Sequence, residues 1–335
     1  MIYITHVGQR FIHNGGAEIF LKDLSRCMKN EIQFKQSICT NVNFYEKEFC
    51  DTFPHPVFVG GEKEISNAIT NDDVIICWGE SNLNSMNLPT PKNCIFNACA
   101  DVRYQLELCD KYVNHVIACS TRTATTVCFD KPHTVILPGI NTKRLVSKEN
   151  RIEKRRSVGV KDHEFLIGMI ARIEKDKQQF LLIEAVEQLQ DENIKAIFIG
   201  DGPDMELLKS KNSPNCLFVG HHEDVGDWWN ILDCYCLLSS REGCPASLFE
   251  SMFCKIPIIS TLVGSAGDLL NEHNSIIVDG IKSLMEAIIK IKNNNNTLMT
   301  QLAFERFLQN GLIENTAKSW IKLIKRLRCT KKIHI

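Results

Sequence analysis

The chain has 335 residues, and its composition excludes several classes of protein. At roughly 100 to 200 residues per domain, this length predicts about two domains. Hydrophobic residues make up 44% and charged residues 24%, which is typical of a soluble globular protein and not of a disordered one. The 39 basic side chains are balanced by 40 acidic ones, so the net charge gives no argument for nucleic acid binding.

The sequence shows no membrane span, no secretion signal and no disulfide framework. No apolar run approaches the roughly 18 residues that span a bilayer, and Met1 to His6 has neither a basic region nor a small-residue cleavage site. A cytoplasmic location is therefore expected. The 15 cysteines include no Cys-x-x-Cys pair, so we interpret them as reduced thiols in the core rather than zinc ligands or disulfides.

Short apolar runs alternate with amphipathic stretches along the whole chain. The first series contains Ile2 to Val7, Ala17 to Met28, Asp73 to Trp78, Val116 to Ala118 and Val135 to Leu137. The second contains Phe165 to Ile170, Phe180 to Gln190, Lys195 to Ile199, Leu217 to Val219, Cys234 to Leu238, Ser247 to Cys254, Ile256 to Ser260 and Ile276 to Val278. This alternation is typical of βαβ units, and predicts an α/β fold with two Rossmann-like, doubly wound parallel sheets.

The two series predict the domain boundaries. The N-terminal domain is expected at residues 1–141 and the C-terminal domain at residues 165–311, with a basic linker at residues 142–164 between them. The stretch from Asn141 to Lys161 has eight basic and two acidic residues, which gives 8 − 2 = +6. Apolar residues at helical spacing from Leu312 to Leu327 predict an amphipathic C-terminal helix.

Two motifs have residues suited to binding phosphate. Gly15 and Gly16 follow the first strand and precede a helix, where backbone N–H groups can bind an anion; an ordinary strand-to-helix turn is the alternative. Arg172 ends a strand of the second half, and Lys177 follows five residues later. Two converging cations suit a diphosphate, whereas solvated loop charges are the alternative.

The segment from Ser239 to Glu250 is the most informative part of the chain. Glu242 and Glu250 flank a glycine loop and the start of a helix, so one carboxylate is expected at the loop tip and the other in the first helical turn. The backbone N–H groups between them would face an anion. In the alternative interpretation, Ser247 and Glu250 form a capping box that only satisfies the start of the helix.

The order of these motifs resembles the retaining glycosyltransferases of family four, also called glycosyl transferases group one. The motifs are the glycine loop, Val135 to Asn141, Arg172 with Lys177, Gly200 to Pro203, and Glu242-x7-Glu250. The likeness covers most of the chain and is strongest from Ile167 to Leu270. It implies the GT-B architecture, with two Rossmann-like domains facing across a cleft and the C-terminal helix, residues 312–335, packing back on the first, acceptor-side domain.

The resemblance also implies roles for individual residues. Arg172 and Lys177 match the pair that neutralises the diphosphate leaving group, and Glu242 matches the carboxylate that contacts donor-sugar hydroxyls. Glu250 matches the carboxylate that holds the nucleotide ribose. The remaining donor-binding positions, which the family places beside the diphosphate and the sugar, are Gly15, Gly16, Gly243, Cys244 and Pro245.

Two departures from the family pattern concern the donor. Many members have a histidine beside the donor sugar where this chain has Asn97 to Asp101. Asp101 or Arg103 are the candidates to replace it, and we take Asp101 as a candidate catalytic residue. The usual Gly-Gly is replaced by Val263 to Gly267, which leaves the donor preference open.

The sequence predicts no metal site and no cofactor beyond the donor, which acts as a co-substrate. No Asp-x-Asp motif occurs, so fixed cations such as Arg172 and Lys177 are expected to offset the leaving-group charge. No carboxylate is clearly placed as a nucleophile. The resemblance then implies the family's proposed same-face internal return, in which the donor phosphate takes the acceptor proton, rather than a covalent intermediate. We expect this transfer to be metal-independent.

The expected function is that of a hexosyl- or pentosyltransferase, which moves a sugar from a UDP- or GDP-sugar to a hydroxyl of a glycan or glycolipid. The alternatives are the same chemistry on a hydroxymethylated base of nucleic acid, a sugar-nucleotide epimerase, and an inactive nucleotide-sugar or glycan binder. The basic stretches 143–161 and 318–332 are candidates for contact with nucleic acid or with the inner membrane face as a peripheral protein. Solvated helix faces are the alternative interpretation of both stretches.

Overall fold

The structure is a computed structural model that describes residues 2–12, 16–91, 93–128, 130–191 and 193–330. Gly15 of the predicted glycine loop, and Lys331 and Lys332 of the second basic stretch, lie outside the described residues. The chain forms two compact units. The first contains Met1–Ile140 and Asn310–Ile335, and the second contains Asn141–Gln309.

Within the described residues of the first unit, seven parallel strands form one sheet. They are β1 (Ile2–Gly8), β2 (Ile32–Cys39), β3 (Val57–Val59), β4 (Val74–Trp78), β5 (Cys94–Ala98), β6 (His115–Ala118) and β7 (His133–Val135). Their order in the sheet is β3-β2-β1-β4-β5-β6-β7. Every residue of β4, β5 and β6 is buried, as expected for parallel strands that are covered on both faces.

The helices cover both faces of this sheet. They are α1 (Gly16–Met28), α2 (Lys47–Cys50), α3 (Glu62–Asn71), α4 (Arg103–Glu107) and α5 (Thr121–Thr126). Ile4 belongs to the core that includes Leu24 of α1, whereas Val7 belongs to the core that includes Ile65 of α3. The alternation of side chains along β1 therefore supplies both cores.

In the part of the second unit that the structure describes, six parallel strands form the sheet. They are β8 (Phe165–Ile170), β9 (Ile194–Ile199), β10 (Cys216–Gly220), β11 (Cys234–Leu237), β12 (Ile258–Ser260) and β13 (Ile276–Ile277). The order is β10-β9-β8-β11-β12-β13. The predicted fold class, two Rossmann-like doubly wound parallel sheets, is confirmed.

The described part of the chain after α5 contains nine further helices. They are α6 (Arg151–Ser157), α7 (Gln179–Leu189), α8 (Met205–Lys209), α9 (Gly226–Ile231), α10 (Ala246–Phe253), α11 (Ala266–Leu269), α12 (Ile281–Asn293), α13 (Thr297–Asn310) and α14 (Ile313–Thr330). Across the described residues, none of the helices combines the length and apolar character that a membrane crossing requires.

The C-terminal helix α14 is part of the first unit and packs against α1. Its buried side is formed by Ile313, Ala317, Trp320 and Ile324, which recur at the spacing of one helix face. The Trp320 ring stacks on Trp78, with ring centroids 6.1 Å apart. The opposite side of α14 carries the exposed basic residues of the second basic stretch.

A close backbone contact fixes the start of α14. Ile140 N donates to Gly311 O at 2.8 Å, and Ile313 N donates to Ile140 O at 3.2 Å. A Cβ on Gly139 would lie 2.5 Å from the backbone carbonyl of Leu312. The glycine of the Pro138-Gly-Ile-Asn motif is therefore needed for α14 to join the first unit.

The stretch predicted as a linker, residues 142–164, is instead folded into the second unit, so that prediction is wrong. It contains a 3₁₀ turn at Thr142–Leu145 and helix α6. Arg151 and the buried Arg155 both pair with Asp233, whose Oδ2 also accepts from Leu166 N at the start of β8. The prediction treated the charges of this stretch as solvated, because the sequence does not show which acidic side chains pair with them.

In the part of the chain that the structure describes, six of the basic side chains of this stretch pair with acids of the same unit: Arg144, Lys148, Arg151, Lys154, Arg155 and Arg156. Their charge is thus largely compensated within the unit.

Two buried histidines lie in the core of the first unit. His6 Nδ1 accepts from Trp78 Nε1 at 2.6 Å, and His55 Nε2 lies 2.7 Å from Ser37 Oγ. Burial lowers the pKa of His55 to about 4. Burial, and secondarily the charge of His55, lower the pKa of His6 well below its ordinary value. Both imidazoles are therefore neutral in the folded unit at pH 7.

Gly139→Ala should lower the free energy of unfolding by about 1–3 kcal/mol, because the added methyl group must displace the backbone of Leu312. Urea unfolding measures this change. The control is Gly61→Ala, whose Cβ would lie 3.9 Å from its nearest neighbour and should cost less than about 0.5 kcal/mol. Equal effects of the two substitutions would contradict the steric argument.

The free energy of unfolding should fall as the pH is lowered from 6.5 to 4. Unfolded histidine takes up a proton near its ordinary pKa, whereas folded His55 does so only at about 4, and this difference is worth about 3 kcal/mol. In His55→Gln this contribution is absent, so the decrease between pH 6.5 and 4 should be smaller. Urea titrations at pH 7, 5.5 and 4.5 test this, with His273→Gln, an exposed histidine, as the control.

Candidate active site

Lys177 and Glu242, two of the charged candidates of the second unit, meet where the strand order of its sheet reverses. β9 lies on one side of β8 and β11 on the other, and ligands of doubly wound sheets bind at the carboxyl ends of such strands. The loops after β8 and β11 are joined here, since Ser240 N donates to Asp176 O at 2.8 Å. Arg241 also pairs with the Asp176 carboxylate at 2.8 Å.

Lys177 and Glu242 form an ion pair at this position. Lys177 Nζ lies 2.6 Å from Glu242 Oε1, and Ser239 Oγ donates to the same oxygen at 2.7 Å. The two charged side chains are only 18% and 11% exposed, so their charges act through a medium that is less polar than water. The structure thus brings a cation and an anion together at the predicted donor site.

Arg172 is directed elsewhere. Its guanidinium Nε lies 3.4 Å from Glu174 Oε2, and its side chain is 60% exposed. The Arg172 carbonyl accepts from Gln179 Nε2 at 2.8 Å, so the residue does help to join the end of β8 to α7. Its guanidinium is nonetheless oriented toward a neighbouring carboxylate and solvent.

The capping-box interpretation of Ser247 and Glu250 is wrong. Helix α10 begins at Ala246 after Pro245, and no side chain caps it. Ser247 Oγ instead accepts from the Tyr235 hydroxyl at 2.7 Å. Glu250 is buried and accepts hydrogen bonds from Arg144 and from Trp229 Nε1, so its carboxylate does not serve the start of its own helix.

The loop between the two carboxylates is held by the segment that replaces the family Gly-Gly. Ser265 N donates to Gly243 O at 2.8 Å. Gly264 has φ +48°, and a Cβ there would lie 2.2 Å from Gly243 O. Cys244 and Pro245 continue this loop into α10. The N-terminus of α10, which favours an anion, is thereby fixed at the same edge of the sheet.

Tyr235 lies beneath this site as a neutral hydrogen-bond donor. Its burial, together with the Glu242 and Glu250 carboxylates, raises the pKa of its phenol above the ordinary value. Burial and Glu250 likewise raise the pKa of the Cys254 thiol to about 12. Both neighbours therefore remain protonated at pH 7, mainly because they are buried.

The candidates in the first unit have structural contacts there. Gly16 is the exposed first residue of α1, and a Cβ would meet nothing within 4 Å. The Asp101 carboxylate accepts from Arg122 Nε at 3.1 Å and from the Thr126 hydroxyl, which ties the end of β5 to α5. Arg103 pairs with Asp130 at 2.6 Å. Because these contacts account for the side chains of Asp101 and Arg103, we assign neither residue a role in the proposed mechanism.

Four residues of this site were not among the candidates predicted from the sequence: Arg144, Trp229, Tyr235 and Ser239. Arg144 was counted as a linker charge, and the other three lie in apolar or polar runs without a local pattern. Only Ser239 had a signal, since it precedes Glu242 by three residues in the segment already selected.

Solved structures show the fold class to which this architecture belongs. HepE of Anabaena in complex with UDP matches with a TM-score of 0.81 and 17% identity, over 97% of this chain and 100% of that one. WaaG, a glycosyltransferase involved in lipopolysaccharide biosynthesis, matches with a TM-score of 0.73 and 12% identity, over 96% and 99% of the two chains. The chain has the GT-B fold.

The second unit contains the region that matches a known family. Residues 150–303, somewhat less than half of the chain, match the model described as Glycosyl transferases group 1, so this region is similar to that family. The resemblance to glycosyl transferases group one that the motifs indicate is confirmed, and the retaining stereochemistry stays a prediction.

Two curated relatives align with part of the chain. The lipopolysaccharide core biosynthesis mannosyltransferase LpsB of Rhizobium meliloti is 27% identical over 61% of this chain and 63% of its own length. TuaC of Bacillus subtilis, assigned as a glycosyltransferase of teichuronic acid biosynthesis, is 32% identical over 47% of this chain and 41% of its own length. The alignments thus span less than two thirds of either relative.

Proposed function

We propose that this chain is a retaining glycosyltransferase that transfers a hexose or pentose from a UDP- or GDP-sugar to a hydroxyl of a glycan or glycolipid. The observation that carries the proposal is the sheltered Lys177–Glu242 pair at the strand-order reversal of the second unit. Its location within the region that matches the family supports the same assignment.

In this proposal, the second unit binds the donor through three groups. Lys177 contacts the diphosphate, and its charge offsets the negative charge that develops on the leaving group. Glu242 accepts hydrogen bonds from the donor-sugar hydroxyls, held in place by Ser239. Glu250 accepts hydrogen bonds from the ribose hydroxyls, while the loop of Gly243, Cys244 and Pro245 presents the N-terminus of α10 to the donor.

The proposed reaction needs no nucleophilic residue. The bond between the anomeric carbon and the diphosphate oxygen breaks, and the acceptor oxygen bonds to the same face of that carbon. The acceptor proton passes to the departing phosphate oxygen, so that atoms and charge balance. The protein contributes positioning and leaving-group stabilisation. The cation that we assign to this task, Lys177, is on the protein, so we propose that the reaction is metal-independent.

The acceptor is proposed to be a glycan or glycolipid. The similar proteins support this class, because their names refer to lipopolysaccharide core and teichuronic acid biosynthesis. The first basic stretch, residues 143–161, gives little support to nucleic acid as the acceptor, because its ion pairs lie within the second unit. A cytoplasmic location remains part of the proposal.

A panel of nucleotide sugars tests the proposal most directly. The protein is incubated with each donor, and release of the free nucleotide diphosphate is measured with and without candidate saccharide acceptors. Slow release that increases with an acceptor supports a transferase. Interconversion of the donor sugar would support an epimerase instead, and binding without turnover would support an inactive binder.

Lys177→Ala should lower turnover by about 30- to 1,000-fold, because the lost contact is strongest in the transition state and is worth about 2–4 kcal/mol. Steady-state kinetics with the donor identified by the panel measure this loss. Lys175→Ala is the matched control, since Lys175 is exposed on the same 3₁₀ turn. Near-normal turnover of Lys177→Ala would remove Lys177 from the site.

Glu250→Gln should weaken nucleotide binding by about 10- to 100-fold, because neutral acceptors form weaker hydrogen bonds than a carboxylate does. Isothermal titration calorimetry with UDP and GDP measures the affinity. Glu187→Gln, an exposed position on α7, should leave it unchanged. Unchanged affinity in Glu250→Gln would mean that Glu250 stabilises the unit and does not bind the nucleotide.

A further inference from the structure

The Glu250 carboxylate is bound by two donors that come from outside its own helix. Arg144 Nη2 donates to Oε1, and Trp229 Nε1 donates to Oε2 at 3.0 Å. Each carboxylate oxygen can accept about two hydrogen bonds. With one donor described for each oxygen, each can accept one more hydrogen bond. Two such bonds suit a pair of neighbouring hydroxyl groups.

The backbone around Arg144 is fixed by α9. Asp227 Oδ1 accepts from the backbone N–H groups of residues 148 and 149, at 2.6 and 2.8 Å. A Cβ on Gly226 would lie 2.7 Å from Val146 O, so the turn after Arg144 lies directly against the start of α9. The backbone from which the Arg144 side chain extends is thus held by the fold of the unit.

The two donors to Glu250 differ in charge. The Glu250 side chain is only 5% exposed, and a carboxylate this buried needs a cation beside it to remain stably charged. Trp229 supplies a hydrogen bond without charge, so among the contacts described Arg144 is the compensating cation. Arg144 is itself 30% exposed, so the Arg144 side of the pair lies at the surface of the unit.

We propose that Arg144 is a positioning residue of the nucleotide site, which holds the Glu250 carboxylate in the orientation in which its two oxygens receive the 2′- and 3′-hydroxyls of a ribose. This inference rests on the proposed function, because it requires a nucleotide at Glu250. Arg144 acts through Glu250 and has no contact of its own with the nucleotide in this proposal.

The test uses the full chain and a pair of probes that differ in one hydroxyl group. Affinities for UDP and 2′-deoxy-UDP, or for the guanosine pair if the wild type prefers GDP, are measured by calorimetry. The proteins are the wild type, Arg144→Gln, Arg144→Lys, Glu250→Gln and the double variant Arg144→Gln/Glu250→Gln. Arg156→Gln is the control, since this exposed arginine pairs with Asp162 away from Glu250. Thermal unfolding of each protein without nucleotide is recorded alongside.

The wild type and Arg156→Gln should prefer the ribonucleotide by about tenfold, as expected for one charge-assisted hydrogen bond. Arg144→Gln should bind the ribonucleotide about tenfold more weakly and lose this preference, whereas Arg144→Lys should retain most of it. The double variant should match Glu250→Gln within about twofold, because Arg144 acts only through the carboxylate. In steady-state kinetics of Arg144→Gln, the KM for the donor should rise by a larger factor than kcat falls.

Three results would overturn the inference. A retained ribonucleotide preference in Arg144→Gln would show that Glu250 does not depend on Arg144. If the affinity losses of the two single variants multiply in the double variant, Arg144 contacts the nucleotide itself. A loss of preference in Arg144→Lys as large as in Arg144→Gln, with equal loss of thermal stability, would indicate a structural role only. Failure of the wild type to bind any nucleotide would instead overturn the proposed function, and this inference with it.

Discussion

The geometry of a doubly wound parallel sheet is the constraint on which the candidate site depends. Parallel strands joined by crossovers all end at the same edge, and the crossovers leave a gap where the strand order reverses. In the second unit this reversal occurs at β8, with β9 on one side and β11 on the other. Lys177 follows β8 and Glu242 follows β11, so residues 65 positions apart in sequence form one ion pair.

Two acidic side chains of the second unit pair with arginines from a distant segment. Asp233 binds Arg151 and Arg155 of residues 142–164, the stretch predicted as a linker. Glu250 binds Arg144 of the same stretch. A buried charge is costly unless it is paired and hydrogen-bonded. These pairs therefore attach residues 142–164 to the sheet, and one of them also shapes the candidate nucleotide site.

The fold class and the main site segments could be predicted from the sequence because both are encoded locally. The alternation of apolar runs with amphipathic stretches depends on which residues are neighbours along the chain, and it predicts βαβ units without knowledge of any contact. Lys177, Glu242 and Glu250 could be selected because motifs of short spacing contain them. The capping box at Ser247 and Glu250 was an equally local pattern, yet Tyr235, Arg144 and Trp229 bind these two side chains instead.

The sequence pattern alone predicts two parallel-sheet units, an amphipathic C-terminal helix and the segment that contains Glu242 and Glu250. The folded chain was needed to show that residues 142–164 belong to the second unit, that Arg172 points to Glu174 while Lys177 meets Glu242, and that Arg144 pairs with Glu250. The physical reason is the range of the interactions. Periodicity and turn chemistry act between near neighbours, whereas the partner of a buried charge is chosen by which segments the folded sheet brings together, over 106 positions in the case of Arg144 and Glu250.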